Sequence, residues 1–131
     1  MTWEQEIVTK LGKNGIRELA AAFYRQVAGD DLLGPMYPTE ELSQAETRLA
    51  DFLCFRLAGD PTYLETRGHP RLRMRHFPFK IGIAERDRWI LLMTNAMDEI
   101  GLHGKEREAL EGFFAHTADF MRNQEEPAAG S

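Results

Sequence analysis

The apolar residues of this 131-residue chain recur at helical spacing along almost its whole length. Side chains three and four positions apart share one face of an α-helix, whereas a half-buried strand needs an apolar residue at every second position. No stretch of the sequence shows a convincing alternation of period two. The pattern therefore predicts an all-α fold, and the length favours a single domain.

Glycines and prolines divide this pattern into five predicted helices. Glycine permits the positive φ of a tight turn and proline removes a backbone donor, so both interrupt a helix. The five segments run from Trp3 to Leu11, from Ile16 to Val27, from Thr39 to the residue before Gly59, through Trp89 to Ile100, and from Lys105 to Met121. Thr39 is the expected N-cap of the third helix because its hydroxyl can accept from the first turn.

The segment from Gly59 to Ile83 has a different composition, since it is rich in proline and glycine. These residues exclude a long helix, and we expect one short helical turn there, near Leu72 to His76. The polar sequence 124–131 is expected to be disordered. The predicted organisation is thus one domain over residues 1–123 followed by a short tail.

The charge of the chain is unevenly distributed. Its net value of −5 argues against general nucleic-acid binding. Five basic residues and no acidic one nevertheless lie between Arg67 and Lys80, which leaves −10 on the remaining residues. This polarity indicates a local anionic partner about the size of a small molecule. The alternative is that this basic segment, from Arg67 to Lys80, binds nucleic acid or an acidic protein, but no helix-turn-helix pattern accompanies it.

One cysteine, Cys54, occurs in the chain. A lone thiol forms no internal disulfide, which favours a reducing compartment, and we expect a cytoplasmic protein. No apolar run approaches the roughly 20 residues that a membrane-spanning helix requires, so no membrane role is expected.

The metal-binding inventory is small. The sequence lacks the HExxH, CxxC, GxGxxG and P-loop patterns. No two of its four histidines are three or four residues apart, so a site with several imidazoles on one helical face is not expected. Haem brings four equatorial nitrogens of its own and needs one axial histidine, so it is the metal cofactor that this inventory still allows.

His76 is the best axial candidate. It ends the expected short turn, and the neighbouring Arg71, Arg73 and Arg75 give its surroundings positive charge. Porphyrin propionates would find cations in the same segment. The alternative is an ordinary surface histidine in a basic loop, and position by itself does not decide between the two.

Tyr24, Tyr37 and Trp89 form a second group, because each lies on or beside an apolar face and carries one polar tip. In a haem pocket these tips would donate to a bound diatomic ligand. In an ordinary core they would bond to backbone carbonyls instead. Periodicity leaves both interpretations open.

The sequence resembles the group II truncated haemoglobins over nearly its whole length. The string from Arg67 to Gly82, followed by Glu85-Arg-Asp-Arg-Trp89, is similar to the proximal-histidine segment of that family. Phe23-Tyr24 and Met36-Tyr37-Pro38 are similar to its distal segments. The resemblance implies a two-over-two helical sandwich, with helices B and E packed on G and H and a short proximal helix in a long loop.

The same resemblance implies a site and a cofactor. It implies haem b with His76 as the iron ligand, and Tyr24, Tyr37 and Trp89 as distal ligand-binding residues. Further cofactor-binding positions implied in this way are Ala45, Arg48, Leu49 and Phe52, although position alone fits Arg48 equally well as a solvent-facing arginine. Arg73 and Arg75, in the basic segment around His76, are expected to meet the propionates. Ala45 stands where many globins have a distal histidine or glutamine, and Arg48 would reach a propionate.

The function implied is reversible oxygen binding with slow release. The alternative is a haem enzyme that converts nitric oxide to nitrate or reduces peroxide, and the absence of an acid–base group at Ala45 lowers the expectation of peroxidase chemistry. The expected partners are dioxygen, nitric oxide, carbon monoxide or peroxide, together with an unidentified reductase. A homo-oligomer is left open.

Overall fold

The computed structural model describes residues 1–71, 76 and 80–123, and the regular structure within these ranges is entirely helical. This confirms the all-α prediction. The α-helices are α1 (Trp3–Val27), α2 (Leu42–Ala58), α3 (Thr62–Arg67), α4 (Ile83–Glu99) and α5 (Gly104–Phe120). The expected turn at 72–76 lies outside the described residues except for His76, and the expected tail at 124–131 lies wholly outside them.

Helix α1 consists of two helical segments that meet at Gly12. This glycine has φ 67° and ψ 172°, a backbone conformation that is essentially restricted to glycine. The predicted break between the first two helices is therefore present. At the start of α1 the Thr2 hydroxyl accepts from the Gln5 amide at 3.1 Å, and the Gln5 side chain accepts from the Thr2 amide at 2.9 Å. This reciprocal capping fixes the first turn.

The predicted N-cap of the third helix is wrong. Thr39 begins a short 3₁₀ helix, Thr39–Glu41, whose N-cap is Pro38, and no side chain caps the start of this helix or of α2. Pro38 has the fixed φ of −55° that leads directly into this turn, and its carbonyl accepts from the Glu41 amide at 2.8 Å. Helix α2 then begins at Leu42. It ends where predicted, at Gly59, which adopts the left-handed conformation with φ 71°.

Helix α3 contradicts the expectation that the proline-rich segment forms only one helical turn near 72–76. It begins directly after Pro61, because proline is tolerated where a helix starts. The Asp60 side chain accepts from the Thr62 amide at 2.9 Å, and Gly68 ends the helix with φ 73°. The buried Tyr63 holds α3 against α2 through ring contacts with Phe52 and Phe55.

The helices pack as two pairs. Helix α1 packs on α2, α4 packs on α5, and α1 also contacts both members of the second pair. Helix α3 lies against α2. The interior between the pairs holds these fully buried side chains: Ile7, Ile16, Leu19, Phe23, Leu53, Met93, Met97 and Leu110. No helix of the described ranges is long and apolar enough to cross a membrane.

Candidate haem site

The structure brings the three predicted distal residues together from three separate elements. Tyr24 lies on α1, Tyr37 follows the short 3₁₀ helix Gly34–Met36, and Trp89 lies on α4. The rings of Tyr24 and Tyr37 are 5.5 Å apart and nearly perpendicular. Phe23 contacts the Tyr24 ring at 5.0 Å and the Trp89 ring at 5.3 Å. The three polar aromatics therefore belong to one packed cluster.

His76 and two of these aromatics line a single cavity. His76 is half-buried in a turn, and it shares the cavity wall with Tyr37 and Trp89. The other lining residues, most of them apolar, are Leu33, Met36, Ile81, Glu85, Arg86, Thr117, Ala118 and Met121. An apolar cavity with a few convergent polar groups is the usual character of a cofactor pocket.

The two tyrosines are held in their neutral form. Burial raises the pKa of Tyr24 well above its ordinary value, and the Tyr37 phenol beside it acts in the same direction. Burial also raises the pKa of Tyr37, although the hydrogen bond with Tyr24 and the Arg48 guanidinium partly oppose this shift. Both phenols therefore keep their O–H protons at physiological pH, and both can donate hydrogen bonds.

One face of α2 lies beside this cluster. Ala45, Leu49 and Phe52 share the face through their spacing of four and three residues. Ala45 is buried, whereas Leu49 and Phe52 pack against the core while remaining half-buried. Arg48 is exposed, and it lines a polar groove with Ser43, Gln44, Thr47 and Arg67. The predicted positions Arg73 and Arg75 lie outside the described residues.

A polar link fixes the relation between the helices that carry Tyr24 and Trp89. The Gln26 side-chain amide donates to the Leu92 carbonyl at 2.8 Å, and its oxygen accepts from Asn95 at 3.2 Å. Gln26 lies on α1, and both partners lie on α4. A hydrogen-bonded amide between two packed helices helps to fix their register, and so the relative positions of Tyr24 and Trp89.

Sequence reasoning missed part of the cavity wall. Ile81 was not singled out, and Thr117, Ala118 and Met121 belong to an amphipathic pattern that predicts ordinary core. Periodicity finds the inward face of a helix, but it does not distinguish contact with another helix from contact with a cavity. The motif Met36-Tyr37-Pro38 was the local signal that pointed to this wall.

The residues present fit a haem group. Haem needs one imidazole, apolar surroundings for its ring and cations for its propionates. His76 supplies the imidazole on the cavity wall, and Leu49, Phe52 and Met36 offer half-buried apolar surface beside the core. Arg48 does not line this cavity, but its guanidinium on α2 is close enough to Tyr24 and Tyr37 to lower the pKa of both, so it could meet a propionate beside the cluster.

Comparisons with known proteins agree with this geometry. The sequence profile of the bacterial-like globins matches residues 7–123. Group 2 truncated haemoglobin YjbI of Bacillus subtilis is 40% identical over 116 residues, which are 88% of this chain and 87% of that protein. The profile match and the YjbI match both extend over almost the whole predicted domain, residues 1–123.

Solved structures show the same fold. A thermostable haemoglobin from the actinobacterium Thermobifida fusca is 44% identical and superposes with a TM-score of 0.86, over 96% of this chain and 100% of that one. The group II truncated haemoglobin of Bacillus anthracis is 33% identical with a TM-score of 0.87, over 93% and 94% of the two chains. These matches confirm the expected two-over-two helical sandwich. The chain therefore belongs to the bacterial-like globins and, within them, to the group II truncated haemoglobins, a family whose members bind oxygen at haem.

Proposed function

We propose that this globin binds haem b through His76 and retains dioxygen with hydrogen bonds from Tyr24, Tyr37 and Trp89, so that release is slow. When bound, haem supplies the iron centre that takes up the diatomic ligand. The observation that carries the proposal is the shared cavity wall of His76, Tyr37 and Trp89, with Tyr24 in edge contact with Tyr37.

The chemistry of the three side chains suits a ligand with partial negative charge. The Trp89 indole N–H can only donate, and the raised pKa values of Tyr24 and Tyr37 keep both phenols protonated. A hydrogen bond to a charged acceptor contributes roughly 1.5–3 kcal/mol. Two or three such donors would slow dissociation by several orders of magnitude, because each 1.4 kcal/mol is about tenfold.

The same residues favour binding over peroxide chemistry. A peroxidase needs a group that accepts and returns a proton near neutral pH. The buried Ala45 offers only a methyl group, and Tyr24 has a pKa far above neutrality. We therefore propose dioxygen as the main ligand, with carbon monoxide and nitric oxide as competing ligands and a reductase as the supplier of electrons to the iron. The buried free thiol of Cys54 supports the cytoplasmic location that we propose.

The test of the distal donors is the rate of dioxygen release. We expect Tyr24→Phe, Tyr37→Phe and Trp89→Phe each to accelerate release about 10- to 150-fold in stopped-flow experiments, which corresponds to the loss of one charged hydrogen bond. Tyr63→Phe is the matched control, because this buried tyrosine lies on α3 against Phe52. Unchanged rates in all three distal variants would contradict the proposed donor set.

The test of His76 is spectroscopic. The ferrous His76→Gly variant should lose the absorption spectrum of a histidine-ligated haem, and added imidazole should restore it. A variant that keeps the wild-type spectrum without imidazole would show that another residue ligates the iron.

A further inference from the structure

A hydrogen-bonded residue outside the predicted site set connects the end of α5 to the segment that contains His76. Asn123 lies three residues beyond the last residue of α5, and it is half-buried. We propose that Asn123 is a positioning residue that fixes the backbone of His76 and thereby directs its imidazole. This inference rests on the proposed role of His76 as the haem ligand.

Among the described residues, hydrogen bonds join Asn123 to both His76 and Ile81. Its side-chain nitrogen donates to the His76 carbonyl at 3.2 Å, and its side-chain oxygen accepts from the Ile81 amide at 2.8 Å. Its own backbone amide donates to the Ile81 carbonyl at 2.9 Å. Asn123 is therefore hydrogen-bonded both to His76, the proposed iron ligand, and to Ile81, five residues later.

The residue type suits this task. A carboxamide presents a donor and an acceptor in one plane, so it can satisfy a carbonyl and an amide of another segment at once. Aspartate has the same shape but lacks the donor, and alanine lacks both groups. The two substitutions therefore separate the His76 contact from the Ile81 contact.

The location of these contacts connects them to the cavity. His76 and the buried Ile81 both line it, as do Thr117, Ala118 and Met121 from the last part of α5 and the residue after it. Asn123 lies three residues after the end of α5. Its hydrogen bonds therefore connect His76 and Ile81 to the helix that forms part of the cavity wall. Groups that hold a metal-binding histidine in one orientation strongly affect how tightly and in which geometry it binds the metal.

The experiment compares Asn123→Asp and Asn123→Ala with the wild-type holoprotein. The first readout is the iron–histidine stretching band of the ferrous form, measured by resonance Raman spectroscopy. The second is the rate at which haem transfers to an excess of a haem-scavenging apoprotein. We expect both variants to shift or broaden the band and to lose haem at least fivefold faster. Asn14→Asp, at an exposed position of α1, controls for the added negative charge.

A third readout is independent of the iron. In the protein as isolated, Asn123→Ala should accelerate hydrogen exchange of the Ile81 amide at least tenfold, whereas Asn123→Asp should preserve its protection because the acceptor oxygen remains. Asn123→Asp also keeps the experiment informative if the alanine variant does not fold.

The outcomes separate this inference from the proposed function. An unchanged iron–histidine band and an unchanged rate of haem loss in both variants would overturn the positioning role while leaving His76 as the ligand. A wild-type protein without an iron–histidine band, or a His76→Gly variant that retains it, would overturn the proposed ligation. Ile81 exchange that is unchanged in Asn123→Ala would overturn the positioning role whatever the ligand of the iron.

Discussion

The Arg88 guanidinium lies 2.7 Å from the Asp30 carboxylate, so the residue immediately before Trp89 is bonded to the turn that leads to Tyr37. The second oxygen of Asp30 accepts from the amides of Leu32 and Leu33 at 3.1 and 2.8 Å. Burial acts to raise the pKa of Asp30, but these backbone bonds and Arg88 together hold it below its ordinary value. One carboxylate thus joins two of the three elements that carry the distal residues.

Removing this carboxylate should destabilise the protein measurably. We expect Asp30→Ala to lower the free energy of unfolding by about 2 kcal/mol, because it removes charged hydrogen bonds at a poorly accessible position. The matched control is Asp31→Ala, since Asp31 also contacts Arg88, at 2.8 Å, but its side chain is 89% exposed. Exposed pairs contribute about 0–1 kcal/mol, so the control should change little. Equal losses in chemical denaturation would contradict the role of Asp30.

A buried carboxylate should make the fold sensitive to acid. Asp51 is 8% exposed, and it accepts from Arg17 at 3.0 Å and from Arg67 at 2.8 Å. Burial acts to raise the pKa of Asp51, but the two guanidinium groups together hold it below its ordinary value. A carboxyl with a lower pKa in the folded state contributes stability above its unfolded pKa of about 3.9, and this contribution is lost as the pH falls through the folded value.

Asp51→Asn tests this contribution. The variant should be less stable at pH 7 by about 1.5–3 kcal/mol, the usual value of charged hydrogen bonds. Its stability should also fall less steeply than that of the wild type below about pH 4, because the titrating group is gone. Denaturant titrations between about pH 2 and 7 measure both effects, with Asp87→Asn as an exposed control. If the free energies of unfolding of wild type and Asp51→Asn fell equally steeply with decreasing pH, the prediction would be wrong.

The raised pKa values of Tyr24 and Tyr37 predict that the protein loses stability as the pH rises into the alkaline range. Their pKa values are raised by burial, so the folded state retains protons that the unfolded state releases above about pH 10. The stability that they contribute is complete below the unfolded pKa, and it is lost as the pH rises towards the folded values.

In the Tyr24→Phe and Tyr37→Phe variants, the free energy of unfolding should therefore fall less steeply as the pH rises above about 10. Both variants should show this effect, since burial raises the pKa of both phenols. Ultraviolet absorption at about 295 nm reports phenolate formation, and it should show these groups ionising together with unfolding. Reversible ionisation of Tyr24 within the folded protein would be the contrary result.

The kink of α1 gives a prediction about backbone strain. Gly12→Ala should cost about 1–3 kcal/mol, because a side chain disfavours the backbone conformation at φ 67° and ψ 172°. Gly29→Ala is the control, since no heavy atom lies within 4 Å of the position of an added Cβ and its φ is not in the left-handed range. Thermal or chemical unfolding of the two variants compares them directly, and similar stabilities would argue against strain at Gly12.

The parts of the fold that depend on local sequence were predictable. The helix end at Gly59 and the break at Gly12 both follow from the conformational freedom of glycine, which acts within a few residues. Helix α3 has local start and stop residues, Pro61 and Gly68, but local sequence does not supply its stability. Its six residues are held by the burial of Tyr63 against α2 and by the ion pair of Arg67 with Asp51, contacts that exist only after the chain has folded.

The candidate site likewise combines residues that the sequence indicates with contacts that depend on tertiary packing. The sequence pattern marks Tyr24, Tyr37 and Trp89 only as amphipathic aromatics on or beside apolar faces, and the resemblance to the group II truncated haemoglobins is what implies their distal role. Their mutual distances depend on helix packing, which a periodic pattern does not contain. Asn123 lies beyond the last predicted helix, and its side-chain partners are 42 and 47 positions away, so no local rule identifies it.

The placement of the three proposed distal donors on three different elements has a consequence for how the site forms. Tyr24 belongs to a long helix, Tyr37 to a short connecting turn and Trp89 to a helix of the second pair. Their backbones belong to separate parts of the fold, and the three side chains meet only through tertiary packing. The proposed donor set is thus a product of the assembled domain, so a peptide that carries one of these elements alone would not reproduce it.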